Sequence, residues 1–269
     1  MPNVNRLVLL RGGGDLASGV ALRLHHAGFS VVITELAQPL AVRRAVSFAD
    51  AVYQGIHKVE DAASRLVKWD QVKATLEAGE IPVLIDPEAD ILHRMDFFAV
   101  VDGRLLKQRP APLPVEVPLH IGLGPGFHAG GNCHAVVETR RSHTLGRVFW
   151  SGAPQQDTGQ PEGDQRRVLR APMGGIVMAH LNIGDHVQEG QLIAEIQSEI
   201  NNQKSEIRSP FKGVLRGLIH DRREVTSGLK IGDVDPRDDA SACFLVSDKA
   251  LAVGGGVLEA VLAKIKSTG

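Results

Sequence analysis

The segment Arg11-Gly12-Gly13-Gly14-Asp15-Leu16-Ala17 carries the clearest chemistry in this chain. Read as G-x-G-x-x-A, Gly12, Gly14 and Ala17 fit the pattern with which a strand-to-helix turn approaches a pyrophosphate. Glycines let the backbone close on the phosphate. The first amides of the helix and the positive end of its dipole then face the charge. Glu35 lies 21 residues past Gly14, where an acidic residue takes a ribose hydroxyl. Asp15 puts a carboxylate in the first helical turn, which can cap the helix and repel an anion, and Arg11 can offset that charge. The alternative is a tight strand-to-helix turn that holds no ligand.

Two further glycine clusters expose backbone amides on paper. Gly122, Gly124 and Gly126 precede Phe127, and His128, Cys133 and His134 follow, with His120 and His143 nearby. Such a loop reads equally as a ligand or catalytic loop and as a structural one. Cys133, His134 and His128 are the catalytic candidates, and Cys133 is a nucleophile only if a neighbouring base or cation lowers its pKa. The histidine and cysteine spacing matches no metal signature, so no metal is expected. Gly254-Gly255-Gly256 reads as the glycine-rich entry of a last helix, and equally as a second anion nest or as a close helix–sheet contact. Arg43 and Arg44 suit either a ribose 2′-phosphate or a solvated helix face. Asp233 and Asp235 suit either a Mg²⁺ ion or a turn held by side-chain hydrogen bonds.

The elements that must position these residues alternate in the first half. Leu7–Leu10 and the β-branched run Ser30–Thr34 read as strands, and Leu16–Ala27 as a helix closed by Gly28. Gly55–Gly79 reads mostly as helix, with strands at Pro82–Ile85, Phe97–Val101 and Ala135–Glu138. Gln108–Pro118 carries four prolines and reads as extended. The alternation predicts a Rossmann-like α/β domain with a parallel sheet over residues 1–150. Residues 151–165 lack core-forming side chains and read as a linker. Residues 166–238 repeat at an offset of 38: Pro172 and Pro210, Gly175 and Gly213, Val187 and Val225, Gly190 and Gly228, Ile193 and Ile231. That repeat predicts an all-β barrel-sandwich hybrid of the biotinyl/lipoyl kind. Residues 239–269 read as a segment and helix returning to the first domain.

Glycine makes up 29 of 269 residues, about 11% against a usual ~7%, and the clusters above account for much of the excess. A formal net charge of -1 argues against a nucleic-acid or acidic-membrane partner. No run reads as long and apolar enough to span a bilayer, and the first apolar run is too short for a signal-peptide core. Two distant cysteines, Cys133 and Cys243, suit a reducing compartment, so a cytoplasmic protein is expected. A homo-oligomer is compatible with all of this.

Several stretches together resemble one family, the accessory proteins of selenium-dependent molybdenum hydroxylases, of the YqeB type. They are RGGGDLASGVALRL at 11–24, VRRAVSFADAVYQG at 42–55, IGLGPGF at 121–127, CHAVVETRR at 133–141, LGRV at 145–148, APMGGIV at 171–177, IGDVDPR at 231–237 and SDKALAVGGGVLEAVL at 247–262. The resemblance implies an accessory or maturation role. The partner would be a molybdenum hydroxylase or its cofactor-maturation machinery. The ligand would be a nucleotide-type cofactor or the molybdenum cofactor at the glycine-rich loop. Two other readings stay open: an NAD(P)-dependent oxidoreductase, and a non-catalytic docking scaffold built on the β-module.

Overall fold

A computed structural model describes residues 7–156, 164–198 and 203–268. The middle of the expected linker, 157–163, lies outside the described residues. The chain divides into two compact units. One comprises Met1–Pro39, Phe48–Thr158 and Val246–Gly269, and the other comprises Leu40–Ser47 and Gly159–Leu245. No sequence signal marks Leu40–Ser47 as part of the second unit.

The first unit is built on β1 (Leu7–Arg11), α1 (Asp15–His26), β2 (Ser30–Glu35), α2 (Ala51–Gln54), β3 (Ile56–Val59), β4 (Ala62–Leu66), α3 (Val72–Glu77), β5 (Ile81–Ile85), β6 (Ala99–Asp102), β7 (Leu119–Leu123), β8 (Ala135–Val137) and β9 (Val148–Phe149). The helix α4 (Asp248–Thr268) belongs to it as well. Its strands form one nine-stranded sheet in the order β3-β4-β5-β2-β1-β6-β7-β8-β9. The central strands are parallel, but β3 pairs antiparallel with β4 and β8 with β9.

This mixed sheet overturns the expected Rossmann-like domain with a parallel sheet. The physical cause lies in the connections. Gly55–Gly79, read as helix, contains the β3–β4 hairpin and only then the short α3. Glu60, at φ 53°, makes the turn of that hairpin. The proline-rich 108–118 segment joins β6 to β7 without a helix. The long helices that cover a parallel sheet on both faces are therefore reduced to α1 and α4.

Those two helices pack through small residues. A Cβ at Gly19 would lie 2.7 Å from the Ala250 Cβ, and one at Gly254 would lie 2.7 Å from the Gly19 carbonyl oxygen. α4 also packs on β7, β8 and β9. By length and composition Ser241–Ser267, with mean hydropathy 1.4, is apolar enough to cross a membrane, contrary to the sequence expectation. One face of α4, carrying Ala250, Val253, Val257, Ala260 and Val261, is buried. Leu9, Val32, Leu84, Phe97 and Val100 fill the core on one side of the sheet.

The second unit holds β10 (Val168–Arg170), β11 (Gly175–Ala179), β12 (His186–Val187), β13 (Leu192–Gln197), β14 (Lys204–Arg208), β15 (Gly213–Leu218), β16 (Glu224–Val225) and β17 (Lys230–Asp235). These form two four-stranded antiparallel sheets, β10-β17-β15-β12 and β14-β13-β11-β16. Two separate antiparallel sheets stand in place of the expected barrel-sandwich hybrid. The 38-residue repeat has a direct structural counterpart: the shift carries β12 onto β16 and β13 onto β17, and places β11 within β15. A Cβ at Gly175 would strike the Gln197 carbonyl, and one at Gly213 the Asp235 carbonyl, again 38 residues apart. The repeated glycines thus mark repeated close approaches of paired strands.

Candidate functional site

The site is assembled at the carboxyl ends of three adjacent strands, β2, β1 and β6, where Arg11 is in register with Thr34 and with Asp102. The chain leaves β1 through Gly12, at φ +88°, a conformation that L side chains rarely adopt. The Gly12 amide donates to the Thr34 carbonyl at 2.8 Å. Gly13 is locked from three sides. Its amide donates to Glu35 Oε2 at 2.7 Å, and its carbonyl accepts from Ser18 Oγ at 3.0 Å and from the Ala49 amide at 2.9 Å. Ser18, fully buried, also accepts from the Phe48 amide at 2.8 Å. Gly14, the N-cap of α1, is different. Its helix has no side-chain cap, and a Cβ there would meet nothing within 4 Å. The loop is therefore rigid at Gly12 and Gly13 and open at Gly14.

Glu35 is part of this floor. Oε1 accepts from the Leu36 amide at 2.8 Å while Oε2 takes Gly13. Burial pushes its carboxyl above the ordinary glutamate range, and these two amides oppose the shift. Each oxygen keeps a second lone pair, so the group can still accept a ligand hydroxyl.

Behind the floor lies a buried charge cluster. Asp102, 1% exposed, accepts from Arg104 Nε at 2.9 Å and Nη2 at 2.6 Å. Arg11, 5% exposed, spends Nη2 on the Pro87 carbonyl at 2.9 Å and brings Nη1 within 3.8 Å of Asp102. Its Nε finds no hydrogen-bond partner among the described residues. Two guanidinium groups thus share one carboxylate, with Asp86 and Glu88 acting on Arg11 from farther away. A buried donor left unpaired costs about 1–3 kcal/mol, which an acceptor placed beside it would recover. His120 is buried too, stands edge-on to Phe127 with ring centroids 5.9 Å apart, and has an unpartnered Nε2 among the described residues. Burial pushes its imidazole down to about 4. Asp102 raises it, and His134, Arg11 and Arg104 lower it further.

The 122–134 loop reaches this site only through an intermediate layer. Gly124, at φ +104°, approaches Leu105, and Gly126 approaches the Leu106 and Gln108 carbonyls, its own amide donating to Leu106 at 2.8 Å. Arg104, at the start of the same layer, lies over Gly12, its Cγ 3.3 Å from where a Cβ would stand. Gly122 makes room for the Phe127 ring. Asn132 closes the loop, accepting from the His128 amide at 2.7 Å and donating to the Gly126 carbonyl at 3.0 Å. Gly124 and Gly126 are packing positions, and the Gly126 amide is already committed.

The catalytic candidates do not converge on one reacting centre. Burial pushes the Cys133 thiol up to about 11, which leaves it protonated and weakly nucleophilic at neutral pH. His134 Nδ1 accepts from the His120 amide at 2.8 Å. His128 is exposed. Among the described residues no group of His, Cys, Asp or Glu is arranged to hold a metal.

Gly254, Gly255 and Gly256 lie inside α4 rather than at its entry. Gly254 meets Gly19 and Gly256 meets the Gly146 carbonyl, so the triplet is a packing seam. Arg43 is buried and donates to the Leu245 carbonyl at 3.2 Å, and Arg44 Nε donates to the Leu218 carbonyl at 2.9 Å. Neither stands on a solvated helix face. Asp233 is paired with Arg167 and Asp235 with Arg237. The Arg237 hydrogen bond holds the Asp235 carboxyl down at about 2, with burial opposing it.

Sequence reasoning missed Asp102 and Arg104, because an aspartate ending one strand and an arginine two residues later carry no motif. It also missed an open cleft of about 620 Å³ at the ends of β4 and β5, lined among others by Trp69, Asp86, Asp90 and Arg94. The Asp86 carboxylate accepts the Asp90 and Ile91 amides at 2.9 and 3.0 Å. Ala89, buried and left-handed at φ 62°, holds the cleft loop at a cost of about 1–2 kcal/mol.

No family model matches the chain. The chain is 45% identical over 267 residues to the uncharacterized protein YqeB of Escherichia coli (strain K12), covering 97% of this chain and 48% of YqeB. The similarity supports a YqeB-type family. The chain spans about half the length of that curated relative. Among solved structures, an aspartoacylase family protein from Mesorhizobium loti is 14% identical, with 85% of this chain and 84% of that one covered and a TM-score of 0.31. A succinylglutamate desuccinylase/aspartoacylase from Rhodobacter sphaeroides is 13% identical, with 85% of each chain covered and a TM-score of 0.29. At such scores neither likeness bears on the fold or the chemistry of this chain.

Proposed function

We propose that this chain is a cytoplasmic accessory or maturation factor for a selenium-dependent molybdenum hydroxylase, and that it binds a nucleotide-type cofactor or the molybdenum cofactor at the β1–α1 loop. The observation that carries the reading is the contrast between Gly13 and Gly14. The loop is fixed by Ser18, Ala49 and Glu35, yet it ends at an N-terminal helix position with free space beside it. Arg11, at the end of β1 behind the loop, adds a positive charge to this end of the sheet, and its Nε has no hydrogen-bond partner among the described residues. Glu35 would accept a ribose hydroxyl, and Arg104 would cover the glycine side of the ligand. The extended likeness to YqeB supports the family, and the maturation role comes from the resemblance described above.

Thermal-shift screening against NAD, NADP, S-adenosylmethionine, ATP, CTP and molybdopterin cytosine dinucleotide tests this, because a ligand that binds the native state raises its stability. The expected result is stabilisation by a phosphate-bearing ligand, with no hydride transfer by the chain alone. Stabilisation by NAD or NADP together with turnover of a small substrate would favour an oxidoreductase. No stabilisation by any of them would remove the reading.

A further inference from the structure

The cleft at the ends of β4 and β5 is built from different parts than the glycine loop. Trp69 is 57% exposed and carries the Arg94 guanidinium over its ring, 4.9 Å from the centroid. An exposed indole stacked with a guanidinium offers flat faces on which another planar ring can lie. The cleft is also polar in a directional way. Asp86 holds the Asp90 and Ile91 amides, one on each carboxylate oxygen. The Asp90 carboxylate makes no hydrogen bond or ion pair among the described residues, and it lines the cleft together with Lys68 and Arg94. The site therefore pairs an acceptor-only carboxylate with cationic donors beside one stacking surface.

The cleft adjoins the ligand loop. The Asp86 amide donates to the Glu35 carbonyl at 3.0 Å, and Arg11 reaches Pro87 in the same connection. Along the strand ends the order is cleft, Glu35, glycine loop, with neighbouring strands about 4.8 Å apart.

We infer that this cleft receives the planar ring of the ligand, and that the ring carries a 2-amino-4-oxopyrimidine edge, as guanine and pterins do. The amino group and ring N–H of that edge donate to Asp90, and the oxo group accepts from Arg94 or Lys68. Adenine would turn an unprotonated ring nitrogen toward the carboxylate, an acceptor against an acceptor. The inference rests on the proposed function for the phosphate end but stands on separate residues at the ring end.

The test uses the Trp150→Phe variant, which leaves Trp69 as the one remaining tryptophan of the two in the chain. Trp69 emission is titrated with guanosine, GMP and AMP, and a simple pterin is followed by its own fluorescence anisotropy. The expected result is saturable quenching by guanosine and GMP, about tenfold tighter than by AMP, with the preference lost in Asp90→Asn. Guanosine lacks phosphate, so its binding survives Gly14→Val even as the phosphate contribution of GMP disappears. Tighter pterin than guanosine binding would assign the cleft to a pterin, and the reverse order to a guanine nucleotide. Equal affinity for AMP and GMP, or no change in Trp69 emission while nucleotides still stabilise the protein through Gly14, would overturn the ring assignment and leave the proposed function standing. Guanosine binding without any phosphate-dependent gain would do the opposite.

Discussion

Glu35 Oε2 accepts the Gly13 amide at 2.7 Å, so the carboxylate at the end of β2 is built into the glycine loop at the end of β1. Removing it in Glu35→Ala leaves that amide unpaired and is expected to cost about 1–3 kcal/mol by urea denaturation. The pH dependence has a definite sign. Burial raises the folded-state pKa of Glu35, so the folded chain holds this proton to higher pH than the unfolded chain. Wild type should therefore lose stability relative to Glu35→Gln as pH rises out of the ordinary carboxylate range.

His120 works in the opposite sense. Its imidazole, held down to about 4 chiefly by burial, stays neutral in the folded chain and takes a proton on unfolding. Stability is expected to be full above about 6.5 and to fall as pH drops towards about 4, by on the order of 3 kcal/mol. Chemical denaturation across that range should show the slope in wild type and not in His120→Leu.

The glycine triplet of α4 should split under substitution. Alanine is normally worth up to about 1 kcal/mol over glycine inside a helix. At Gly255, where a Cβ meets nothing within 4 Å, that gain should appear as a raised Tm. At Gly254 the Cβ would be forced against the Gly19 carbonyl at 2.7 Å, and overpacking of about 1–3 kcal/mol should reverse the sign. The same contrast holds in the first loop. Gly13→Ala presses on the Ala49 amide at 2.9 Å and should destabilise, whereas Gly14→Ala should stay within about 1 kcal/mol of wild type.

Cys133 should be slow to react. With its thiol at about 11 against an ordinary value of 9, alkylation of the native protein near neutral pH should be about hundredfold slower than that of a free thiol. Fast native-state labelling at Cys133 would contradict its burial and reopen a nucleophilic role.

Local signals were legible and longer-range ones were not. Strands β1, β2 and β5 and helix α1 followed from β-branched runs and helical spacing, and the 38-residue repeat reappears as matched strands in two sheets. The mixed sheet was hidden because Ile56–Leu66 shows no turn glycine. Its hairpin turns at Glu60, a residue with no marked preference for positive φ. For Gly254–Gly256 the sequence leaves an anion nest and a close packing contact equally open, because both need the same glycines, and only the position of Gly19 on α1 decides for the packing seam. At the site, Gly12–Gly14 and Glu35 were visible as a pattern. Arg104 and Asp102 were not, since their contact with Gly12 and Arg11 depends on β6 lying beside β1. Trp69, Arg94 and Asp90 meet only through the packing of two short turns.

The most direct measurement is calorimetric titration of molybdopterin cytosine dinucleotide into the wild-type protein and into Gly14→Val, with the fold of the variant checked by its melting transition. Binding to wild type is expected, clearly weakened in a variant that melts as wild type does, because the valine side chain fills the open space beside the α1 N-terminus and removes the phosphate contribution. Equal binding by both proteins would place the ligand elsewhere and contradict the assignment of the β1–α1 loop.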